Sequence, residues 1–428
     1  MIPALRCALV CSLVMLTMAR NSSAIAPVAG FRISGRKVLD ARNNEFIMRG
    51  VNHAHTWYES QLTTALPSIA ATGSNCVRVV LSNGKHAENW GKNSASDVAD
   101  VIRLCKQNKL IAVLEVHDCT GYPEKQGSAQ LSTAVDYWIE LKNELIGQEG
   151  YIIINIANEP FGNNVTASTW IDEHKNAIKR LRENGFKHML IVDAANWGQD
   201  WEKIMQANAQ EVFDSDPDRN ILFSIHMYDV YGDANTVSSY LQSFVDKNLP
   251  LIVGEFAADH GSSDKNVDEE TILQKCKEYG IGYIGWSWKG NSTGLTSLDI
   301  ALQWNGSSLS SWGNTLINSA DGIKATSRIA TIFTTDVPSA SMRTLKKFNH
   351  SVSRLPAGWS ITLQTETSSR LQITLFDMTG GTVYSRNLVT APDCRHSVNI
   401  SSTRLPAGVY LMKIADAAGA VTVPLELH

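Results

Sequence analysis

The 428-residue sequence has little of several features that mark other classes of protein. It carries 38 basic against 42 acidic side chains, so it has no basic excess with which to displace counterions from nucleic acid. No apolar run after residue 26 reaches the ~18 residues of a membrane span. Tryptophan is scarce near the C-terminus: ten of the eleven lie between Trp57 and Trp312, and only Trp359 follows. This asymmetry predicts two parts of unequal size.

The cysteines follow no metal-binding pattern. Cys7 and Cys11 belong to the first 26 residues, and the others are odd in number and widely spaced: Cys76, Cys105, Cys119, Cys276 and Cys394. No CxxC pair or histidine cluster at zinc spacing accompanies them, so the sequence predicts no metal site of that kind. Most are expected to be small buried apolar residues. Whether two of them form a disulfide is not decided by the sequence.

The first 26 residues have the pattern of a secretory signal. Arg6 precedes an apolar run over residues 7–18, and Ala24 and Ala26 offer small residues at the two positions that a signal peptidase reads. The apolar run is too short to span ~30 Å of hydrocarbon. We therefore expect a soluble protein that is secreted or attached to the outer cell surface.

Apolar runs alternate with amphipathic stretches eight times, which predicts a (β/α)8 TIM barrel over residues 27–335. The predicted strands cover residues 46–52, 75–81, 111–117, 151–158, 189–194, 221–228, 251–256 and 283–288. Their nearly continuous apolar character is typical of parallel strands that are covered by helices. Ser94 is the expected N-cap of one helix, and Gly280 the expected C-cap of another. An open doubly wound sheet fits the sequence less well than a barrel, because no glycine-rich phosphate-binding turn follows the first strand.

The composition and the hydrophobic pattern of the sequence change after residue 335. Residues 336–350 are polar and rich in turn formers, and they are predicted to be a linker. Residues 351–428 contain short alternating runs with turn signals at roughly ten-residue spacing, which predicts a small all-β sandwich.

Polar residues gather where the predicted barrel strands end, which is where barrel enzymes carry their chemistry. These residues are Arg78, His117, Asn158, Glu159, His226, Tyr228, Glu255 and Trp286. Each alone has an ordinary structural explanation, such as a hydrogen bond, a helix cap or core packing. A glutamate within or beside an apolar strand, however, is costly to bury unless it is paired or functional. Glu159 and Glu255, on the fourth and seventh strands, would face each other across the barrel mouth.

Two carboxyl groups across a cleft are what glycoside hydrolysis needs. One donates a proton to the leaving oxygen, and the other attacks the anomeric carbon or activates water. Arg78 would keep a neighbouring carboxylate ionised. Exposed tryptophan and tyrosine side chains would stack against sugar rings.

Eight short segments in order resemble glycoside hydrolase family 5, and within it the bacterial endo-β-1,4-mannanases. They are MRGVNHAHTWY (48–58), VRVVLSNG (77–84), LEVHDCTGY (114–122), NIANEPFG (155–162), VDAANWGQDW (192–201), HMYDVYG (226–232), VGEFAADH (253–260) and GWSWKGN (285–291). The resemblance covers residues from about 30 to 335. It implies cleavage inside mannan, glucomannan or galactomannan chains with retention of configuration, and no cofactor.

The same resemblance implies a role for each matching residue. Glu159 would be the acid/base and Glu255 the nucleophile. The implied substrate-binding residues are Arg78 and Tyr228 beside the nucleophile, Asn158 at the 2-hydroxyl, His117 and His226 at the cleavage point, and Trp286 and Trp57 as stacking surfaces. A β-1,4-glucanase and an exo-acting β-mannosidase are the alternatives on the same barrel. A polysaccharide-binding surface protein without activity is a third, which the presence of both glutamates disfavours.

The C-terminal segment, which contains LPAGVYLMKI (405–414), resembles the sorting domain of the type IX secretion system. This implies the secretion machinery as a partner. A carbohydrate-binding module is the competing interpretation. Its usual exposed aromatics are not evident, since Trp359, Phe376, Tyr384 and Tyr410 mostly follow the alternation of a strand core. We expect a monomer whose other partner is the β-mannan substrate, with no nucleic acid and no membrane span.

Overall fold

A computed structural model of the protein describes residues 30–261, 266–334 and 348–427, the last range with gaps at 356–357, 366–368, 378–380, 392–393, 402, 404, 407 and 417–418. The predicted signal at 1–26 and residues 336–347 of the predicted linker lie outside the described residues. The chain divides into two compact units, Met1–Thr334 and Thr335–His428.

The first unit is a closed barrel of eight parallel strands, as the alternating pattern predicts. The strands are β3 (Arg49–His53), β4 (Cys76–Leu81), β5 (Ile111–Val116), β6 (Ile152–Asn155), β7 (Leu190–Asp193), β8 (Ile221–Met227), β9 (Leu251–Phe256) and β10 (Gly282–Gly285). They pair in sequence order, and β10 closes the barrel on β3. Every residue of these strands is buried, because helices cover the outer face.

Helices follow the strands of the barrel, and the last two come after β10. They are α1 (Leu62–Ala71), α2 (Ala95–Gln107), α3 (Leu131–Glu140), α4 (Lys142–Leu145), α5 (Ala167–Glu183), α6 (Ile204–Ser215), α7 (Ala234–Asp246), α8 (Glu269–Tyr279), α9 (Ser311–Asn318) and α10 (Ile323–Thr326). Both predicted caps are confirmed: the Ser94 side chain accepts a hydrogen bond from the Asp97 N–H, and Gly280 ends α8 with φ of 67°. Among the described residues, no helix has the length and apolar character needed to cross a bilayer.

Two strand ends and one hairpin differ from the prediction. The fourth barrel strand ends at Asn155 and the eighth at Gly285, so Glu159 and Trp286 stand in the loops beyond them. The sequence pattern also missed β1 (Arg32–Ser34) and β2 (Lys37–Leu39), an antiparallel pair that precedes the barrel. Strands of three residues are too short to show an alternation.

The barrel interior is apolar at its N-terminal end and polar at the other. A cluster that includes Phe31, Phe46, Met48, Ile111 and Ile252 fills the lower end. The buried charges Arg78, Glu115, Asp193 and Glu255 lie further along their strands. These four charged residues therefore lie on the C-terminal side of the apolar cluster.

The second unit consists of two antiparallel sheets, as predicted. One contains β11 (Phe348–Leu355), β12 (Gly358–Thr365) and β15 (Arg395–Ser401); the other contains β13 (Ser369–Phe376), β14 (Thr382–Thr390), β16 (Gly408–Asp416) and β17 (Gly419–Leu427). One apolar cluster joins residues of both sheets, so they form a sandwich. Trp359 and Tyr410 are buried in it, as their strand alternation predicts.

Candidate active site

Strand register brings the polar residues of the barrel mouth to one level. Asn52 of β3 pairs with Arg78 of β4, and His226 of β8 pairs with Glu255 of β9. The second pairing follows a register shift between Ile225 and His226. An irregularity of this kind re-aims the side chains after it, and here it sets Glu255 level with His226.

Arg78 is the centre of a buried hydrogen-bond network. Its guanidinium donates to the side-chain oxygens of Asn52, Asn155, Asn158 and Glu255, at 2.9, 2.8, 2.7 and 2.8 Å respectively. A guanidinium has five N–H donors in a rigid fork, so four acceptors fix its position closely. Burial disfavours the Arg78 charge, but the neighbouring carboxylates, Glu115 first, raise its pKa overall. Arg78 is therefore a fixed positive charge beneath the barrel mouth.

Both carboxylate oxygens of Glu255 accept a hydrogen bond. Oε1 lies 2.8 Å from Arg78 Nη1, and Oε2 accepts from the Tyr228 hydroxyl at 2.9 Å. Burial raises the pKa of Glu255, while His226 and Arg78 act in the opposite direction. Hydrogen bonds that reach both oxygens favour the ionised form, and a carboxylate held in this way suits nucleophilic attack.

Glu159 is held differently. Its Oε1 lies 2.6 Å from His226 Nδ1, and its backbone N–H donates to Asp193 Oδ2 at 3.1 Å. The backbone has a left-handed φ of 38°, a strained conformation for a residue with a side chain. Burial raises the pKa of Glu159 to about 8. At neutral pH this carboxyl group therefore carries a proton that it can donate.

The two carboxyl groups are close enough to act on one bond. One oxygen of Glu159, one of Glu255 and a ring nitrogen of His226 lie within 4.8 Å of one another. Burial lowers the pKa of His226, so its ring is a neutral hydrogen-bond partner between the two glutamates. The site thus combines a protonated carboxyl group with a hydrogen-bonded carboxylate.

Aromatic side chains surround the His117 end of the site. The His117 ring stacks on Trp286, with centroids 5.7 Å apart, and meets Trp57 edge-on at 5.2 Å. His117 Nδ1 lies 2.9 Å from Glu115 Oε1. Burial lowers the pKa of His117, but Glu115 outweighs it and leaves this pKa above its ordinary value. Trp57 is 38% exposed, which leaves part of its indole available to a ligand.

Asn158 connects the Arg78 network to the open side of the barrel. Its Oδ1 accepts from Arg78, and its Nδ2 donates to Thr120 Oγ1 at 2.9 Å. The amide can be assigned in one orientation only, because Arg78 has no acceptor.

Comparisons with known proteins now identify the family. The family described as Cellulase (glycosyl hydrolase family 5) matches residues 39–292. A mannan endo-1,4-β-mannosidase of Cellvibrio japonicus (strain Ueda107) is 54% identical over 311 residues, which are 73% of this chain and 71% of that protein. The chain belongs to glycosyl hydrolase family 5.

Other members of the family agree with this. A mannan endo-1,4-β-mannosidase of Streptomyces lividans is 49% identical over 309 residues, 72% of this chain and 79% of that protein. The solved β-mannanase of Thermomonospora fusca is 50% identical, with a TM-score of 0.69 over 72% of this chain and all of that one. Separately, residues 355–425 match a secretion system C-terminal sorting domain.

In this family 5 hydrolase the sequence-predicted residues fall into two groups. Arg78, Asn158, Glu159, His226, Tyr228 and Glu255 form one hydrogen-bonded group, while His117, Trp57 and Trp286 form one aromatic group. The sequence analysis missed the residues that support them, chiefly Asn52, Asn155, Glu115 and Asp193. A signal was present for Glu115: it is a charge in an apolar strand, two positions before His117, and a spacing of two places both residues on one face.

Two sets of described side chains bring metal-ligating atoms within 4.8 Å of one another: His55, Glu59 and Asp97, and Glu159, His226 and Glu255. In the first set, Asn93 Nδ2 donates to both carboxylates at 2.8 Å each, and His55 Nε2 lies 3.0 Å from Asp97. The second set is the pair of glutamates with its histidine. In it His226 Nδ1 lies 2.6 Å from Glu159, and Glu255 accepts its hydrogen bonds from Arg78 and Tyr228.

The five cysteines that follow the first 26 residues are free. Cys76, Cys105, Cys119 and Cys276 are buried, and Cys394 is exposed. The disulfide that the sequence left open does not form among them.

Proposed function

We propose that the protein is a secreted endo-β-1,4-mannanase that cleaves internal bonds of mannan, glucomannan or galactomannan with retention of configuration. The observation that carries the proposal is the pair Glu159 and Glu255, with nearest oxygens within 4.8 Å and unequal hydrogen-bond environments. Retaining glycosidases hold their carboxyl groups about 5–5.5 Å apart, whereas inverting enzymes need about 6.5–9.5 Å to admit a water molecule. Relatives that bear the name mannan endo-1,4-β-mannosidase support the choice of substrate.

In the first step, a carboxylate oxygen of Glu255 attacks the anomeric carbon while Glu159 delivers its proton to the glycosidic oxygen. The carbon–oxygen bond to the leaving sugar breaks, and a glycosyl ester forms on Glu255. In the second step, Glu159, now ionised, takes a proton from water as the water oxygen attacks the same carbon. The ester bond breaks, Glu255 is released as a carboxylate, and Glu159 is protonated again.

The surrounding residues orient the reactants. Arg78 and Tyr228 hold Glu255 so that its attacking oxygen keeps one direction. Asn158 is proposed to bind the sugar's 2-hydroxyl, where contacts that strengthen in the transition state are most useful. His117 and His226 would line the cleavage point. Trp286 would stack beneath the sugar before it, and Trp57 is a further candidate for stacking against a sugar.

The sandwich domain is proposed to serve export. Its match to a secretion sorting domain, together with the signal predicted at residues 1–26, supports passage across the cell envelope and release or attachment at the surface. The burial of Trp359 and Tyr410 removes two of its aromatics from a sugar-binding role.

The proposal is tested with Glu159→Ala, Glu255→Ala and the surface control Glu211→Gln. Either active-site change should lower turnover on mannan by about 10³-fold or more, with the fold intact. With dinitrophenyl β-mannobioside, whose leaving group departs without a proton, added azide should rescue Glu159→Ala and yield a β-mannobiosyl azide, because the small anion attacks the glycosyl ester from the face that water uses. Near-normal turnover in either variant would refute the roles, and the α-mannose anomer as first product of the wild type would refute retention.

Substrate choice needs its own comparison. The family description Cellulase, and a relative called beta-mannanase/endoglucanase A that is 46% identical over 303 residues, make a β-1,4-glucanase the second candidate. Products from mannohexaose and cellohexaose separate the two. Internal cleavage of mannohexaose alone supports the mannanase, release of single mannose units indicates exo action, and preferential cleavage of cellohexaose indicates the glucanase.

A further inference from the structure

Asp193 is a buried carboxylate that neither step of the proposed reaction uses. It is the last residue of β7, after the apolar residues 190–192, and its side chain has no exposed surface. Removing a carboxylate from water is costly unless hydrogen bonds or a charged partner compensate. Arg78 Nη2 lies 3.7 Å from Asp193 Oδ2, which is beyond hydrogen-bond distance. The hydrogen bonds that compensate its burial therefore come from other groups.

Both carboxylate oxygens of Asp193 accept a hydrogen bond from the frame of the active site. Oδ2 accepts from the Glu159 backbone N–H at 3.1 Å, and Oδ1 accepts from Asn155 Nδ2 at 2.9 Å. Asn155 Oδ1 in turn accepts from Arg78 Nε at 2.8 Å, and Arg78 holds Glu255. Asp193 and Asn155 therefore complete a buried chain of hydrogen bonds from one glutamate to the other.

The backbone of Glu159 depends on such support. Its left-handed φ of 38° is strained, and a conformation of this kind persists only where the surrounding structure holds it. The N–H of Glu159 donates to Asp193, and its carbonyl accepts from the Gly121 N–H at 2.8 Å. Of these two contacts, the one to Asp193 is made by a side chain. Asp193 thus helps to set the direction in which the Glu159 side chain leaves the backbone.

Asp193 also lies behind the histidine that contacts the Glu159 carboxyl group. Asp193 Oδ2 is 3.4 Å from His226 Nε2, and the other ring nitrogen, Nδ1, is 2.6 Å from Glu159 Oε1. Burial is the main cause that raises the pKa of Glu159 to about 8, and the negative charge of Asp193 adds to it. The other charged or titratable groups around Glu159 are Arg78, Glu115, His117, Tyr228 and Glu255. Asp193 thus combines a direct contact with Glu159 and a charge that favours its protonated form.

We propose that Asp193 is the positioning residue of the proton donor. It fixes the Glu159 backbone, supports the far side of the His226 ring and places a negative charge beside Glu159. The inference rests on the proposed function, in which Glu159 must hold its proton until the glycosidic oxygen receives it. Without the Asp193 charge, Glu159 should release its proton at lower pH, because a like charge no longer opposes its ionised form. A residue that only supported the barrel would not change this titration.

Two variants separate the charge of Asp193 from its hydrogen bonds. Asp193→Asn keeps the size of the side chain, and its amide oxygen can accept from the Glu159 N–H, but its NH2 group then faces the NH2 group of Asn155. The double variant Asp193→Asn/Asn155→Asp removes that conflict. The amide at position 193 donates to the carboxylate at position 155, whose other oxygen still accepts from Arg78 Nε. The charge has then moved away from the Glu159 N–H and towards Arg78.

Asp216→Asn is the matched control. Asp216 is equally buried, pairs with Arg182 at 2.9 Å and lies between α6 and β8, at the N-terminal end of the barrel strands. Two substrates are compared across the pH range: mannohexaose, whose leaving sugar needs a proton, and dinitrophenyl β-mannobioside, whose leaving group departs without one. In both position-193 variants, the alkaline limb of kcat/KM on mannohexaose should move to lower pH. At about pH 8, kcat/KM for mannohexaose should fall about tenfold more than kcat/KM for the aryl substrate, because only mannohexaose needs Glu159 as an acid.

In Asp216→Asn, both the alkaline limb and the ratio of the two substrates should stay as in the wild type. Should Asp193→Asn fail to fold, the double variant carries the same test, because it restores the lost hydrogen bond. An unmoved alkaline limb, or an equal loss with both substrates, would overturn the role of Asp193 and leave the mannanase proposal intact. A wild-type protein that fails to cleave mannohexaose would instead overturn the mannanase proposal, and this inference with it.

Discussion

The replacement of Glu159 by glutamine should stabilise the fold, and should do so more as the pH rises. Glu159 has a pKa of about 8 in the folded protein against 4.5 for an ordinary glutamate. Between these values the folded state keeps a proton that the unfolded chain has released, so the free energy of unfolding falls by about 1.4 kcal/mol per pH unit. At pH 7 this loss amounts to about 3 kcal/mol. Glutamine has no proton to release, so Glu159→Gln removes the loss.

The measurement is guanidinium unfolding of the wild type and Glu159→Gln at pH 5, 7 and 8.5. Tryptophan fluorescence reports mainly on the barrel, which contains ten of the eleven tryptophans. The variant should exceed the wild type by less than about 1 kcal/mol at pH 5 and by about 3 kcal/mol at pH 7. Glu211→Gln is the control: its carboxylate pairs with Lys175 at the surface, where a change of about 0.5 kcal/mol or less is expected at every pH. A difference between Glu159→Gln and wild type that stays constant from pH 5 to 8.5 would refute the raised pKa.

Two further predictions follow from the site and the cysteines. Tyr228→Phe removes the hydroxyl that donates to Glu255, so the pKa of Glu255 should rise further. The acidic limb of the kcat/KM profile should therefore move to higher pH, while the alkaline limb near pH 8, set by Glu159, should stay in place. Profiles measured on mannohexaose check this, and an unmoved acidic limb would contradict it. In the native protein without residues 1–26, a thiol reagent should modify only the exposed Cys394. The other four cysteines should react only in denaturant, because burial shields them and raises their pKa: Cys76, Cys105, Cys119 and Cys276. Rapid labelling of more than one cysteine in the native protein would count against that burial.

Much of the fold is readable in the sequence, because burial on both faces forces continuous apolar strands. All eight barrel strands were predicted within a few residues, and the caps at Ser94 and Gly280 have local causes that the sequence contains. The ends of the fourth and eighth strands were predicted too far along the chain. The apolar residues Ile156 and Ala157 follow the end of the fourth strand, and Trp286 follows the end of the eighth, so composition alone does not mark where these strands end.

The candidate site was predictable in residue type but not in its connections. Arg78 and Glu255 stand 177 positions apart, and their 2.8 Å contact depends on the closure of the barrel. Asp193 was missed because it looks like an isolated charge until its partner, the Glu159 N–H, is adjacent in space. Glu115 lies two positions before His117, but only the folded structure shows that its carboxylate contacts the His117 ring. Trp201 lies in the segment VDAANWGQDW (192–201), which is part of the family resemblance. The sequence does not show that its side chain is exposed, because exposure depends on how the loop folds.

The sequence by itself determined the order of strands and helices, the two domains, and the polar residues that follow each strand, because these depend on local pattern. The tertiary structure decided which of two chemically identical glutamates carries a proton. That distinction arises from desolvation and from hydrogen bonds: Glu255 accepts from Arg78 and Tyr228, whereas Glu159 is buried against a neutral histidine. A pKa depends on the surroundings of a group in three dimensions, and only folding creates those surroundings.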